Sequence, residues 1–254
     1  MKDNINAEKV RGVIFDLGST LLEYETIPWD DLSLLCLDAG YDYLKTSGHA
    51  VPDKDDFIEK YIAIRQKYRK HSGETLDEWI ITDAIGELLS AFELNGSASL
   101  AEEFFAAYHV PLARQVTMFA DAPTVLRTLK TNGYKIGLVS NTIFPEDAHV
   151  EELKKYAIFN LFDFTIFSSS FRKRKPHPEI YKRATELIGL APEDLLFVGD
   201  RYIEDYRGPK DFGMQAMIKF REGRPYPDPM PDDITVIRAL VELLDYLDLK
   251  IDDK

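Results

Sequence analysis

The sequence of 254 residues contains a single cysteine, Cys36, so no disulfide bond can form within the chain. Cys36 lies in the apolar stretch LSLLCLDAG, and we interpret it as a buried structural thiol rather than a nucleophile. No apolar run approaches the roughly 20 residues that a membrane-spanning helix needs. Residues 1–9 are polar and lack the apolar block of a signal peptide, which predicts a cytoplasmic location.

Positive charge is also scarce. The chain has 31 lysine and arginine residues but 44 aspartate and glutamate residues, which gives a net charge of −13. A chain of this charge repels nucleic-acid phosphates and anionic membranes, so we expect neither as a partner. A local pocket of hydrogen-bond donors can still hold a small anion. Hydrophobic residues make up 45% of the chain, an ordinary fraction for a globular protein that argues against disorder.

From about residue 120 onward, short apolar strands alternate with amphipathic helices. The predicted strands are 134–139, 164–167, 195–198 and 214–220, and the predicted helices are 122–131, 147–156, 178–188 and 205–212. Residues 10–15 have the same strand character. Strands that alternate with helices predict an α/β fold with a doubly wound parallel sheet, whose strands are apolar along their length because both faces are buried.

Between about residues 30 and 118 the chain changes character, because its segments are amphipathic at helical spacing and no convincing strand interrupts them. These segments are LSLLCLDAGYDYL, DFIEKYIAIRQKY, LDEWIITDAIGELLSAF and LAEEFFAAY. The predicted layout is therefore an α/β core formed by residues 1–21 and 120–254, with an all-helical domain of residues 22–119 inserted after the first strand. The proline-rich segment 221–233, REGRPYPDPMPDD, is predicted to form an ordinary surface loop.

Polar residues follow the predicted strands at their carboxyl ends, which is the edge where open parallel sheets bind ligands. They are Asp16, Gly18, Thr20, Ser140, Asn141, Lys175, Asp200 and Asp205. Taken singly, each is explained by a turn, a helix cap or a solvated loop. Gathered at one edge, carboxylates repel one another unless a cation lies among them, and oxygen ligands suit Mg²⁺.

These residue types suggest a mechanism of phosphoryl transfer. Asp16 attacks phosphorus and forms an aspartyl-phosphate, which is a known strategy of carboxylates. Asp16, the backbone carbonyl of Gly18, and Asp200 would hold Mg²⁺, while Asp205 would brace the metal shell or the nearby lysine.

The substrate phosphate would be bound by donors from other strand ends. Ser140 and the amides that follow it would bond to phosphoryl oxygens, with Asn141 and Thr20 as further binding residues. Lys175 would add positive charge where negative charge spreads in the transition state.

Four segments, FDLGSTL, LVSNT, RKPHPEIY and VGDRYIED, resemble in this order the four motifs of the haloacid dehalogenase-like (HAD) hydrolase superfamily. The resemblance covers residues 10–21 and about 120–220, and it implies a Rossmann-like core, an aspartyl nucleophile, Mg²⁺ and usually phosphatase activity. The helical insert resembles the cap that, in one subgroup, closes over the site and largely selects the substrate. Trp29, Trp79 and Tyr24 are therefore candidate pocket residues, although core packing is the commoner role of any one aromatic residue.

The first motif departs from the pattern of the family's phosphatases, which resembles Asp-x-Asp-x-Thr and uses the second Asp as general acid and base. Gly18 stands in that place. Its backbone carbonyl can bind Mg²⁺, but it has no proton to give. General acid–base catalysis is typically worth about 10²–10⁴-fold. The loss predicts a preference for leaving groups that are already stable, such as those of acyl, aryl or anhydride phosphates.

Three functions remain open from the sequence. The preferred one is a Mg²⁺-dependent phosphatase acting on a small phosphorylated metabolite, with Glu23, Glu25 or a residue of the insert as substitute acid. The second is a haloacid dehalogenase or phosphonatase, since these relatives also lack the second Asp. The third is a non-enzymatic or regulatory protein with a weakened site. Dehalogenases look different in the fourth motif, and a phosphonatase needs a Schiff-base lysine, for which Lys45 and Lys60 are unmarked candidates.

Overall fold

The computed structural model describes residues 5–94 and 99–251 of the chain. Six strands form one parallel sheet, and they are β1 (Gly12–Phe15), β4 (Lys135–Ser140), β5 (Phe164–Phe167), β6 (Leu195–Gly199), β7 (Gln215–Lys219) and β8 (Val236–Ile237). Their order across the sheet is β5-β4-β1-β6-β7-β8. The predicted doubly wound parallel sheet is confirmed, and β1 lies inside it with β4 on one side and β6 on the other.

The strands form where the sequence is continuously apolar, because a parallel sheet buries both faces of its strands. In β1, Val13, Ile14 and Phe15 are fully buried. The helices between strands are α5 (Ala122–Thr131), α6 (Glu146–Lys155) and α8 (Pro178–Ile188). Helix α8 begins with a proline and ends before Gly189, whose φ of +67° is the left-handed conformation that favours glycine after a helix.

The remaining elements are short, and most of them have no counterpart in the sequence prediction. They are β2 (Leu22–Glu23) and β3 (Thr117–Met118), which form a separate two-stranded sheet, α7 (Ser168–Phe171), 3₁₀ turns at Phe159–Leu161 and Pro192–Asp194, a π-helical turn at Tyr202–Arg207, α9 (Gly208–Asp211) and α10 (Glu242–Tyr246). The helix predicted at 205–212 is thus a π-helical turn followed by a single α-helical turn.

The chain divides into two compact units. One contains the six-stranded sheet and comprises Met1–Glu23, Met118–Thr142 and Glu146–Lys254. The other comprises Tyr24–Thr117 and Ile143–Pro145 and contains α1 (Trp29–Thr46), α2 (Lys54–Thr75), α3 (Ile81–Ala91) and α4 (Ser99–Gln115). The predicted helix at 76–92 begins late, because Leu76 adopts a left-handed φ of +59° that ends α2.

The helical unit has its own aromatic core. Phe57 and Phe104 are fully buried in it, and the hydroxyl oxygens of Tyr61 and Tyr108 lie 2.6 Å apart in a buried hydrogen bond. Cys36 is buried as predicted, and burial raises the pKa of its thiol to about 11, which suits a structural role. Within the described residues, no helix combines the length and the apolar character that a bilayer span requires.

A pair of helical glycines tests this packing. A Cβ added to Gly40 in α1 would lie 2.4 Å from the ring of Phe104, whereas one added to Gly86 in α3 would meet no atom within 4 Å. We expect Gly40→Ala to destabilise the protein by about 1–3 kcal/mol through overpacking. Gly86→Ala should instead stabilise it by about 0.5–1 kcal/mol, because alanine loses less backbone entropy in a helix. Urea denaturation measures both, and equal effects of the two substitutions would contradict the packing described.

Candidate active site

Three neighbouring strands bring polar residues to one edge of the sheet. Asp16 directly follows β1, and its backbone N–H donates to the carbonyl of Val198 in β6 at 2.9 Å. Ser140 is the last residue of β4, and Asp200 directly follows β6. All three residues are buried. Since β4, β1 and β6 are parallel neighbours, their carboxyl ends meet here, at the edge where such sheets bind ligands.

The ammonium group of Lys175 lies at the centre of this edge. Its Nζ donates to Oδ1 of Asp16 at 2.7 Å, to Oδ1 of Asp205 at 2.6 Å and to the carbonyl of Val139 at 2.9 Å. Lys175 is only 2% exposed, so the charge is removed from water and depends on these acceptors. The structure thus places Lys175 between two of the predicted acidic site residues.

Asp205 is held by the π-helical turn and by the strand before it. Its Oδ2 accepts a hydrogen bond from the backbone N–H of Arg201 at 2.9 Å, while its Oδ1 accepts from Lys175. A Cβ at Gly199 would lie 2.4 Å from Cγ of Asp205, so the carboxylate can approach β6 only because residue 199 has no side chain. Both oxygens of Asp205 are therefore occupied by protein donors.

Asp200 differs from the other two carboxylates in having an oxygen without a partner. It is fully buried, and its Oδ2 accepts a short hydrogen bond from Nε of Arg224. Its Oδ1 is buried and has no hydrogen-bond partner among the described residues. Asp16, Asp200 and Asp205 each offer an oxygen within 4.8 Å of the others. An unpaired carboxylate oxygen beside two further carboxylates fits a hard divalent cation.

Burial and like charge perturb the titration of this cluster. Burial raises the pKa of Asp16 to about 7, although the ammonium of Lys175 opposes the shift. Burial, with the carboxylate of Asp205 as the next cause, also raises the pKa of Asp200. Burial alone would lower the pKa of Lys175, but the carboxylates of Asp16 and Asp205 outweigh it and raise that pKa. Burial is thus the main cause that disfavours the ionised forms of Asp16 and Asp200, and repulsion between the carboxylates adds to it.

The other predicted site residues lie close by, with different contacts. The hydroxyl of Thr20 is 3.5 Å from Oδ2 of Asp16 and is buried. The side chain of Asn141 forms a reciprocal pair with the backbone of Lys175, since its Nδ2 donates to the carbonyl at 2.9 Å and its Oδ1 accepts from the N–H at 2.8 Å. Gly18 forms a bridge to Leu22, and the left-handed φ of this turn, +61°, belongs to Ser19.

The segment after β7 makes a set of contacts that was not predicted from the sequence. Arg224 and Arg221 both donate to the hydroxyl of Ser19, and Arg221 also pairs with Glu23, one of the candidate substitute acids. The hydroxyl of Tyr226 donates to the carbonyl of Asp200 at 2.8 Å. The segment predicted as an ordinary surface loop therefore contacts the site. No motif in the sequence marked these contacts, because two arginines in a proline-rich segment do not indicate where their side chains point.

The model of the haloacid dehalogenase-like hydrolase family matches residues 10–213, which include Asp16, Ser140, Lys175, Asp200 and Asp205. The chain belongs to this family. The matched region contains β1, β4, β5 and β6 and all four sequence motifs, so the predicted HAD membership is confirmed.

Proteins named glyceraldehyde 3-phosphate phosphatase are similar to this chain over part or most of its length. A glyceraldehyde 3-phosphate phosphatase of Methanocaldococcus jannaschii is 26% identical over 241 residues, which are 93% of this chain and 96% of that protein. Matches to four other archaeal proteins of that name cover between 48% and 63% of their length.

Solved HAD structures share the fold. The HAD phosphatase of Thermococcus onnurineus superposes with a TM-score of 0.63 at 26% identity, covering 95% of this chain and 100% of the other. The 2-haloacid dehalogenase of Pseudomonas syringae has a TM-score of 0.71 at 21% identity, covering 94% and 98%. The latter likeness shows the fold alone.

The raised pKa of Asp16 predicts how the stability of the metal-free protein depends on pH. Burial raises the pKa of Asp16 from an ordinary value of 3.8 to about 7 in the folded protein. Between these two pH values the folded state keeps the proton of Asp16, whereas the unfolded state has lost it. Stability is therefore lost as the pH rises through the window, by at most about 1.4 kcal/mol per pH unit. The Asp16→Asn variant has no proton to lose at this position. As the pH rises to about 7, its free energy of unfolding should therefore increase relative to that of the wild type, and the difference should stay constant at higher pH.

Thermal denaturation in EDTA at several pH values measures this difference, with the exposed Asp232→Asn as the matched control. Curves for Asp16→Asn and the wild type that stay parallel across the window would contradict the raised pKa.

Proposed function

We propose that this protein is a Mg²⁺-dependent phosphatase that hydrolyses a small phosphorylated metabolite through an aspartyl-phosphate on Asp16. The observation that carries the proposal is the buried cluster in which Lys175 bridges Asp16 and Asp205 while Oδ1 of Asp200 has no protein partner. Such a cluster suits a cation and an anionic substrate together. The phosphatase names of similar proteins support the same class of substrate.

Asp16 is the proposed nucleophile. Its Oδ1 is held by Lys175, which leaves Oδ2, beside the hydroxyl of Thr20, to attack phosphorus. The P–O bond to the leaving group breaks, and the leaving group departs with the electron pair. Water then attacks the phosphorus of the aspartyl-phosphate and frees the Asp16 carboxylate and inorganic phosphate. Lys175 neutralises part of the charge that develops on the phosphoryl oxygens.

Asp16, the carbonyl of Gly18 and Asp200 are the proposed ligands of Mg²⁺, which supplies neutralisation of phosphate charge when bound. Asp205 is assigned to bracing Lys175, because protein donors occupy both of its oxygens. Ser140 is the proposed donor to phosphoryl oxygens. Asn141 is assigned to positioning Lys175 rather than to direct substrate contact, because both ends of its amide are bonded to the backbone of that lysine.

The insert of residues 22–119 is the proposed substrate-selecting cap, with Tyr24, Trp29 and Trp79 as its candidate pocket residues. Lys45 and Lys60 are both exposed, whereas a Schiff-base lysine needs desolvation to lower its pKa. The three-carboxylate cluster favours a metal-using hydrolase over a dehalogenase. These points support the phosphatase over the phosphonatase and dehalogenase alternatives.

Hydrolysis of acetyl phosphate and p-nitrophenyl phosphate tests the proposal. We expect turnover with Mg²⁺, loss of turnover in EDTA, and background rates for Asp16→Asn, because the nucleophile is gone. Asp232→Asn, on the surface, should keep the wild-type rate. Turnover that survives EDTA or the Asp16 substitution would overturn the mechanism, and no turnover on either compound would favour the non-phosphatase alternatives.

Gly18→Asp tests the missing general acid. A carboxyl group at this position can protonate a basic leaving group, so hydrolysis of alkyl phosphates should rise, by up to about 10²–10⁴-fold. Acetyl phosphate, whose leaving group is already stable, should respond little. Gly18→Asn is the matched control, since it has a similar size and no titrating proton. An unchanged rate on alkyl phosphates in correctly folded Gly18→Asp would contradict the hypothesis.

A further inference from the structure

One guanidinium group connects two segments of the candidate site. Nε of Arg224 donates to Oδ2 of Asp200, and Nη2 of Arg224 donates to Oγ of Ser19 at 3.1 Å. The side chain of Arg224 is 11% exposed, so these contacts are largely shielded from water. Ser19 is the neighbour of Gly18. Arg224 therefore binds both the carboxylate and the turn that carry proposed ligands of the metal.

The segment that carries Arg224 is itself fixed around Asp200. The hydroxyl of Tyr226 donates to the backbone carbonyl of Asp200 at 2.8 Å and accepts the backbone N–H of Arg221 at 3.0 Å. The ring of Tyr226 stacks on Phe220 with centroids 5.2 Å apart. These contacts hold residues 220–226 in place, so the guanidinium of Arg224 is presented to Asp200 by an anchored backbone.

Ser19 needs such support, because its φ of +61° lies in the left-handed region that residues other than glycine seldom adopt. Its hydroxyl accepts hydrogen bonds from Arg221 and Arg224, and its carbonyl accepts from Nζ of Lys219 at 2.9 Å. Three cations from residues 219–224 thus bind the residue that follows Gly18. The conformation of the first-motif turn is fixed from this side.

We propose that Arg224 is a positioning residue of the metal site. It holds Oδ2 of Asp200 so that the unpaired Oδ1 stays available for a divalent cation, and through Ser19 it keeps the carbonyl of Gly18 in place. This inference rests on the proposed Mg²⁺ dependence. Groups that orient a ligating carboxylate typically change metal affinity by about 10–100-fold.

The positive charge of Arg224 repels a metal ion, so repulsion alone would make the Arg224→Ala variant bind Mg²⁺ more tightly. Weaker binding by this variant would therefore distinguish positioning from repulsion. Three carboxylates of the cluster face the cations Lys175 and Arg224, and Lys219 and Arg221 bind the adjacent Ser19, so net charge alone does not make the site attractive to a cation. We expect the orienting effect to exceed this repulsion, because Arg224 fixes Oδ2 of Asp200 and the turn at Ser19, so that the unpaired Oδ1 is held in one position for the cation.

Titration calorimetry of the full chain with Mg²⁺, without substrate, tests the proposal. We expect Arg224→Ala to bind Mg²⁺ about 10–100-fold more weakly than the wild type. Arg224→Lys should restore little, because one ammonium group lacks the planar fork that reaches Asp200 and Ser19 together. Arg183→Ala, an exposed arginine of α8, is the matched control and should bind like the wild type.

Unchanged or tighter Mg²⁺ binding by folded Arg224→Ala would overturn the proposal, and tighter binding would identify Arg224 as a competitor of the cation. Full rescue by Arg224→Lys would show that charge alone matters and would overturn it too. If Arg224→Ala fails to fold, Ser19→Ala removes one of the two contacts and should weaken binding by a smaller factor, whereas unchanged affinity would overturn the proposal.

Asp200→Asn separates this inference from the proposed function. Suppose that the wild type binds Mg²⁺, that Asp200→Asn does not, and that Arg224→Ala binds it normally. This result would overturn only the role of Arg224. A wild type that binds no Mg²⁺ would overturn the proposed metal dependence and the positioning role with it.

Discussion

The buried ammonium of Lys175 is the interaction on which the candidate site depends. It joins the end of β4, through the carbonyl of Val139, to Asp16 after β1 and to Asp205 in the π-helical turn. Two carboxylates that would otherwise repel each other in a dry environment share this one cation. The strand ends thus form a single charged cluster rather than separate polar residues.

The position of Lys175 is in turn set by the backbone. The reciprocal bonds of Asn141 attach the segment of Lys175 to the turn after β4, and Gly199 leaves room for Asp205 on the opposite side. The charged atoms of the site are therefore located by main-chain contacts of a rigid sheet. This arrangement agrees with a site that must hold its charges in place before a ligand arrives.

Local patterns made much of the fold predictable. Helix α8 is marked by its amphipathic spacing, by Pro178 at its start and by Gly189 after its end, and the buried strands are marked by continuous apolar runs. Strand β8 has two residues, too few for any periodicity, and the π-helical turn at Tyr202–Arg207 has no sequence pattern of its own.

The motifs correctly predicted that Asp16 and Lys175 lie at the same edge of the sheet, although 159 residues separate them. Arg224 was missed because proline-rich composition indicates an irregular segment without indicating where its side chains point.

The residues around Asp200 come from two different parts of the chain. The family match ends at residue 213, whereas Arg221, Arg224 and Tyr226, which contact Ser19 or Asp200, come after it. Part of the surroundings of Asp200 therefore comes from a segment that neither the four motifs nor the matched region includes. Two proteins with identical motifs need not share an electrostatic environment, and a fragment cut at the end of the matched region loses β7, β8 and the counter-ion of Asp200 together.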